Sequence, residues 1–150
     1  MISNVVLPSE TCTVLGVIDP DATAASTVTG DWCSLIDFGA VIAIVFAGTL
    51  GSSATVDAKL EQASDSSGTG AKDITGKSIT QLTQAGTDDD KQALFNCHSE
   101  ELNVANGFNH VRLSITVATA TSDVDGVVLG FAPRVSPASG NDLASVDEIV

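Results

Sequence analysis

From Phe108 to Thr119 the chain reads FNHVRLSITVAT, the cleanest alternation it contains. Val111, Leu113, Ile115 and Val117 share one parity, and His110, Arg112, Ser114 and Thr116 share the other. A period of two places these sets on opposite faces of a β-strand. The pattern recurs at Val56, Ala58 and Leu60, set against Asp57, Lys59 and Glu61. Two half-buried strands of this kind constrain the chain to a sheet with one apolar side.

The second alternation opens a longer unit, Ala54 to Leu82. Its tip, SDSSGTG, consists of turn formers, and Ile74, Ile79 and Leu82 are the apolar anchors of the return. This predicts a β-hairpin with a polar tip. Further strands are expected over Thr11–Asp19, Thr27–Ile36, Phe38–Leu50, Lys91–Ser99 and Val127–Ala132. Across the second, Cys33 and Leu35 should face one side and Trp32 the other. Phe38–Leu50, FGAVIAIVFAGTL, is apolar at both parities and predicts a central strand buried on both faces. Turns and loops are expected at Pro20–Ser26, Thr83–Asp90, Asn106-Gly107 and Ser122–Gly126. After Pro133 the tail is open between an extended run and a short helix over Asp142–Val150 capped by Asn141 or Asp142.

The chain is 43% hydrophobic, mostly Val, Ala, Leu and Ile, with abundant Thr, Ser and Gly. That mixture suits strands joined by tight turns. The expected fold is all-β: a single-domain antiparallel β-sandwich, jelly-roll-like, of about eight strands. Residues 1–10 form an N-terminal arm, 11–133 the sandwich and 134–150 a C-terminal arm. The apolar arm residues Ile2, Val5, Val6 and Leu7, with Leu143, Val146, Ile149 and Val150, are the candidate interface.

Nineteen acidic and six basic residues give a net charge of −13. Such a chain cannot replace phosphate counterions, so nucleic acid is excluded as a partner, and so is an anionic membrane. The charge would keep a surface-displayed protein soluble. Cys12, Cys33 and Cys97 are odd in number and widely spaced, which predicts buried thiols in a reducing compartment. The start, MISNVVLPSE, lacks the basic and long apolar regions of a signal peptide, so synthesis in a cytoplasm is expected.

No motif predicts catalysis. Asp88-Asp89-Asp90, Asp65-Ser66-Ser67-Gly68 and Asp123-Val124-Asp125-Gly126 resemble pieces of calcium loops, but none has the spacing, and turns account for them. Cys97 and His98 fall on opposite faces of a strand, which defeats cooperation, and His110 is the other histidine. There is no GxSxG elbow, and Gly68-Thr69-Gly70-Ala71-Lys72 lacks phosphate-loop spacing. No cofactor, metal or enzymatic activity is expected. Trp32 is the one candidate for stacking a sugar.

The segment VDAKLEQASDSSGTGAKDITGKSITQL, the strand NHVRLSITVATATS and the close VVLGFAPR together carry a resemblance. Ala58, Lys59, Leu60 and Gln62, then Asp65, then Asp73-Ile74-Thr75-Gly76, and finally Arg112 with Thr116-Val117 match its pattern. It resembles small virion proteins of tailed bacteriophages and phage-like gene transfer agents, over about residues 11 to 135. The resemblance implies a non-enzymatic head decoration or cement protein, or the base of a head spike. It implies the major capsid protein as partner, a symmetric homo-oligomer, a spike or fibre protein as a further partner, and a place on the capsid surface after synthesis in the host bacterial cytoplasm. A tail, neck or fibre component and a carbohydrate-binding β-sandwich are the alternatives.

Overall fold

The computed structural model describes residues 6–150. A single helical turn, α1 (Pro8–Thr11), leads into ten strands: β1 (Cys12–Thr23), β2 (Thr27–Thr29), β3 (Cys33–Ser34), β4 (Phe38–Ala47), β5 (Thr55–Ala63), β6 (Lys72–Ser78), β7 (Leu82–Thr83), β8 (Lys91–His98), β9 (His110–Ala118) and β10 (Ser122–Pro133). Short 3-10 turns fill the loops, the last at Ala138–Asn141.

The pairing is nested. β2 and β3 lie end to end on β9, and β6 and β7 end to end on β5, so the strands act as eight. The first pairs with the last, β1 with β10; the second with the seventh, β2 with β9; the third with the sixth, β4 with β8; and the middle two, β5 and β6, with each other. This is one long antiparallel hairpin rolled up, with β10 against β4 and β9 against β5. Two sheets result, β1-β10-β4-β8 and β2-β9-β5-β6. The fold is a jelly-roll sandwich, as the alternating strands led one to expect.

The core lies between the sheets. β9 turns Val111, Leu113, Ile115 and Val117 inward, and β5 does the same with Val56, Ala58 and Leu60. They meet Val41, Ala43 and Val45 of β4 and Val124 and Val128 of β10. Buried glycines set the spacing. A Cβ on Gly126 would lie 2.5 Å from Leu113 Cδ2, so Leu113 occupies the space that a side chain would take.

Three expectations are corrected, and one left open is settled. β1 continues through Pro20 to Thr23, where a loop was expected; it is an edge strand, and its pairing with β10 shifts between Ile18 and Asp21, so Pro20 sits in a bulge. The Thr27–Ile36 strand breaks in two: Thr29 pairs with Ser114 and Cys33 with Val111, four steps against three, which is again a bulge. Ser122–Gly126 is the start of β10 and not a turn; the turn precedes it, with Thr119 at φ +75°. Asp142–Val150 forms no helix.

Side-chain hydrogen bonds pin the hairpin tip. Asp65 Oδ1 accepts from the backbone N–H of Ser67 (2.9 Å) and Thr69 (3.0 Å), an Asx turn. Gly68, at φ +81°, abuts the Trp32 indole, and Lys72 lies 4.2 Å from the Phe108 ring centroid. At the base, buried Gln62 accepts the Asn103 N–H at 2.7 Å through Oε1. Gln62→Leu leaves that N–H without a partner, and a loss of about 2 kcal/mol is expected in urea unfolding. A loss below about 0.5 kcal/mol would show that water reaches Asn103.

Candidate interaction surface

The sandwich has two unlike outer faces. Beyond β2-β9-β5-β6, cross-strand neighbours are polar: Thr27 beside Thr116 beside Asp57, and Thr29 beside Ser114 beside Lys59. The next row is an ion-pair ladder. Lys59 Nζ lies 2.7 Å from Asp73 and 3.1 Å from Glu61, and Glu61 lies 2.8 Å from Arg112 Nε. The Arg112 guanidinium lies 4.4 Å from the centroid of Trp32. One face of the indole is therefore already covered by a cation.

Beyond β1-β10-β4-β8 the register stacks a different surface. One row is Cys12, Phe131, Ala40 and His98; the next is Val14, Leu129, Ile42 and Asn96. Val17, Val127, Ile44 and Leu94 follow, and then Asp125, Phe46 and Gln92. The middle is apolar across β1, β10 and β4, and reaches β8 at Leu94. Phe46 is 38% and Leu94 59% exposed. Besides the core between the sheets, β4 packs mainly against its sheet neighbours β10 and β8 and the 3-10 turn at Ser99–Glu101. Its outward side chains are not part of the core cluster. The expectation that β4 is buried on both faces is corrected: Val41, Ala43, Val45 and Ala47 are buried, whereas Ile42 and Ile44 are half-buried and Phe46 is exposed.

The two ends of this face differ. At the Phe46 end lies a cleft of about 490 Å³, lined by Asp21, Asp90, Asp123 and Asp125 together with Pro20 and Phe46. Burial holds the Asp125 carboxyl above the usual carboxylate range. At the Cys12 end α1 and the turn at Ala138–Asn141 pack together against β1. Asp142 Oδ1 accepts from Thr13 Oγ1 (2.7 Å) and the Val14 N–H (2.6 Å), and Leu143 N–H donates to the Val14 carbonyl (3.0 Å). These bonds occupy the free edge of β1 at Val14.

Of the arm residues singled out from the sequence, Ile2 and Val5 lie outside the described residues. Val6 and Leu7 are 59% and 57% exposed just before α1. Leu143 and Val146 are half-buried beside β1, and Ile149 and Val150 are exposed. Leu7 and Leu143 thus flank one end of the sheet. The apolar sheet face itself was missed. Its signal was present: β4 is apolar at both parities in a chain with no long helix to lay over it.

The remaining candidates do not converge. His98 projects from one outer face, His110 from the opposite one, and Cys97 points into the core between them. Asp88 accepts the Thr83 N–H and pairs with Lys91, and Asp89 accepts the Leu50 N–H, so these carboxylates tie loops together. Among the described residues, no three His, Cys, Asp or Glu side chains could hold one metal ion. No buried side-chain nitrogen or oxygen there lacks a hydrogen-bond partner.

No family model and no curated protein matches the chain. Among solved structures it is similar to a chain in the structure of the Gx strain of infectious bursal disease virus, at 11% identity and a TM-score of 0.46. That likeness covers 87% of this chain and 34% of the other, so the chain spans about a third of that protein's length. It is also similar to a chain in the cryo-EM structure of broad bean stain virus, at 15% identity and a TM-score of 0.43, over 88% of this chain and 89% of the other.

Proposed function

We propose that this chain is a non-enzymatic structural protein of a virion, bound to the outer surface of a phage head as a decoration or cement protein or as the base of a head spike. One observation carries this: a jelly-roll body with one apolar, uncovered outer face and one charged, internally paired outer face. A protein of this shape has a side to set down and a side to leave in solvent. The net charge of −13 supports a place outside a shell and away from the nucleic acid within it. The sequence resemblance supports the phage head, with the major capsid protein as partner and a symmetric oligomer as the bound form. The segments proposed as arms, 1–10 and 134–150, would reach neighbouring subunits.

Mass spectrometry of purified particles tests this. The chain is expected in the particle at a copy number comparable to that of shell subunits. Absence from the particle overturns the virion role, and a few copies per particle moves the protein to the tail, neck or a fibre. Removing residues 1–7 is expected to lower occupancy while the far-ultraviolet dichroism of the sandwich is kept. Full occupancy after that deletion removes the N-terminal arm from the interface.

A further inference from the structure

Resting on that virion role, we propose that the outer face of β1-β10-β4-β8 is the seat itself, and that its occupant is an apolar strand or ribbon of the shell protein bearing Lys or Arg where it meets Asp123 and Asp125. The apolar rows and the acidic cleft share a border at Phe46, so one ligand surface would cover both. A flat, pleated apolar face is matched best by another extended backbone.

Size and charge select the occupant. Four strands about 4.8 Å apart, carrying rows about 6.8 Å apart, give a face of about 400 Å². Two copies laid face to face would bury about 800 Å², short of the roughly 1,200 Å² of a stable free-standing pair. A shell, which adds arm contacts and neighbouring copies, does not need that area from one face alone. A second copy also has few cations to offer Asp123 and Asp125. Lys59, Lys77, Lys91 and Arg112 are already in ion pairs, and Lys72 lies over Phe108. Among the described residues, Arg134 is the one cation per copy outside those contacts, set against the four carboxylates of the cleft, so a different protein meets the charge better than a second copy does.

Particles purified from a strain lacking this gene provide the probe, with rebinding of added protein read by sedimentation. Phe46→Lys and Leu94→Lys place a cation on the apolar rows at their two most exposed positions, where the fold tolerates it. Leu94→Lys is expected to bind about a hundredfold more weakly, because burying an unpaired charge removes roughly two decades of affinity, and Phe46→Lys, whose cation stands beside Asp125 and repels a basic ligand, about tenfold more weakly. Leu94→Ala, a milder variant, is expected to bind several-fold more weakly. Asp123→Asn with Asp125→Asn is expected to weaken binding about fivefold and to flatten its salt dependence. Thr29→Lys, on the opposite outer face, is expected to bind as wild type.

The outcomes separate the two proposals. If wild-type protein does not rebind, both the virion role and this seat fail. If wild type rebinds and the Phe46 and Leu94 variants rebind equally, the seat alone fails. If wild type forms dimers in solution that Leu94→Lys dissolves, the occupant is a second copy and the proposal is overturned. If the aspartate variants bind more tightly, the basic complement is overturned.

Discussion

Leu113→Ala is expected to lower the unfolding free energy by about 4 kcal/mol, read as a shift of the urea midpoint at unchanged slope. Leu113 is 1% exposed at the centre of β9, facing Gly126 of the opposite sheet. The cavity left behind cannot collapse easily. β10 is held in its ladder by β1 on one side and β4 on the other, so its backbone cannot move toward the void. The other wall is Ile115 and the rest of the packed core. The partner measurement is Leu129→Ala. Leu129 is also a strand leucine, but it lies on the outer face with Ile42 and Val14 beside it. Its loss is expected to stay below about 1 kcal/mol, since little is packed above it. Equal losses at the two positions would mean that the outer face is covered and that the seat proposed for it is wrong.

Stability is expected to fall steeply above pH 9, and two thiols are expected to carry much of the fall. Burial pushes the Cys33 thiol up to about 12, with Asp31 adding to the effect. Burial pushes Cys97 up to about 11, with Glu101 raising it and Lys77 lowering it. Both shifts are upward, so the folded chain keeps its thiol protons where the unfolded chain has lost them. The stabilising contribution is complete below about pH 9 and disappears as pH rises toward the folded values. Each thiol adds a slope of about 1.4 kcal/mol per pH unit, over pH 9 to 11 for Cys97 and 9 to 12 for Cys33. Lys59, raised by its bonds to Asp73 and Glu61, acts in the same direction at higher pH. Unfolding curves of Cys33→Ala and Cys97→Ala separate the contributions. Each variant should lose stability more gently between pH 9 and 11 than wild type. An unchanged slope in both would show that the thiols ionise freely in the folded chain.

The elements legible in the sequence were those whose information is local. In β9 and β5 each side chain declares its face by its own parity, and the observed burial follows residue by residue. The hairpin tip was legible because Asp65, Gly68 and Gly70 carry turn chemistry within a few positions. The errors lie where a distant residue decides. Asp125-Gly126 has the composition of a turn, yet Gly126 is in a strand because Leu113 of the other sheet fills its side-chain space. Pro20 signals a loop, yet an edge strand with a bulge accepts it. Trp32 was placed on the correct face, but its contact with Gly68 joins two loops that no local pattern connects. The apolar outer face was hidden for another reason. Parity shows that β4 is apolar on both sides, but not whether this chain provides the second cover.

The nested pairing also sets a timetable. Gln62 finds Lys72 across a short loop, whereas Ala47 must reach Lys91, Thr29 must reach Ser114, and Cys12 must reach Phe131 from almost the other end of the chain. Closing each larger loop before its contacts form makes high-contact-order folds slow. β1 is made early in synthesis, and its partner β10 is among the last strands to emerge. Throughout that interval Val14, Val17 and Ile18 have no ladder and no core to enter. Strand edges exposed in this way invite pairing between unfinished chains. Nineteen carboxylates against six cations make such encounters repulsive, so the acidity serves the growing chain before it serves the folded one.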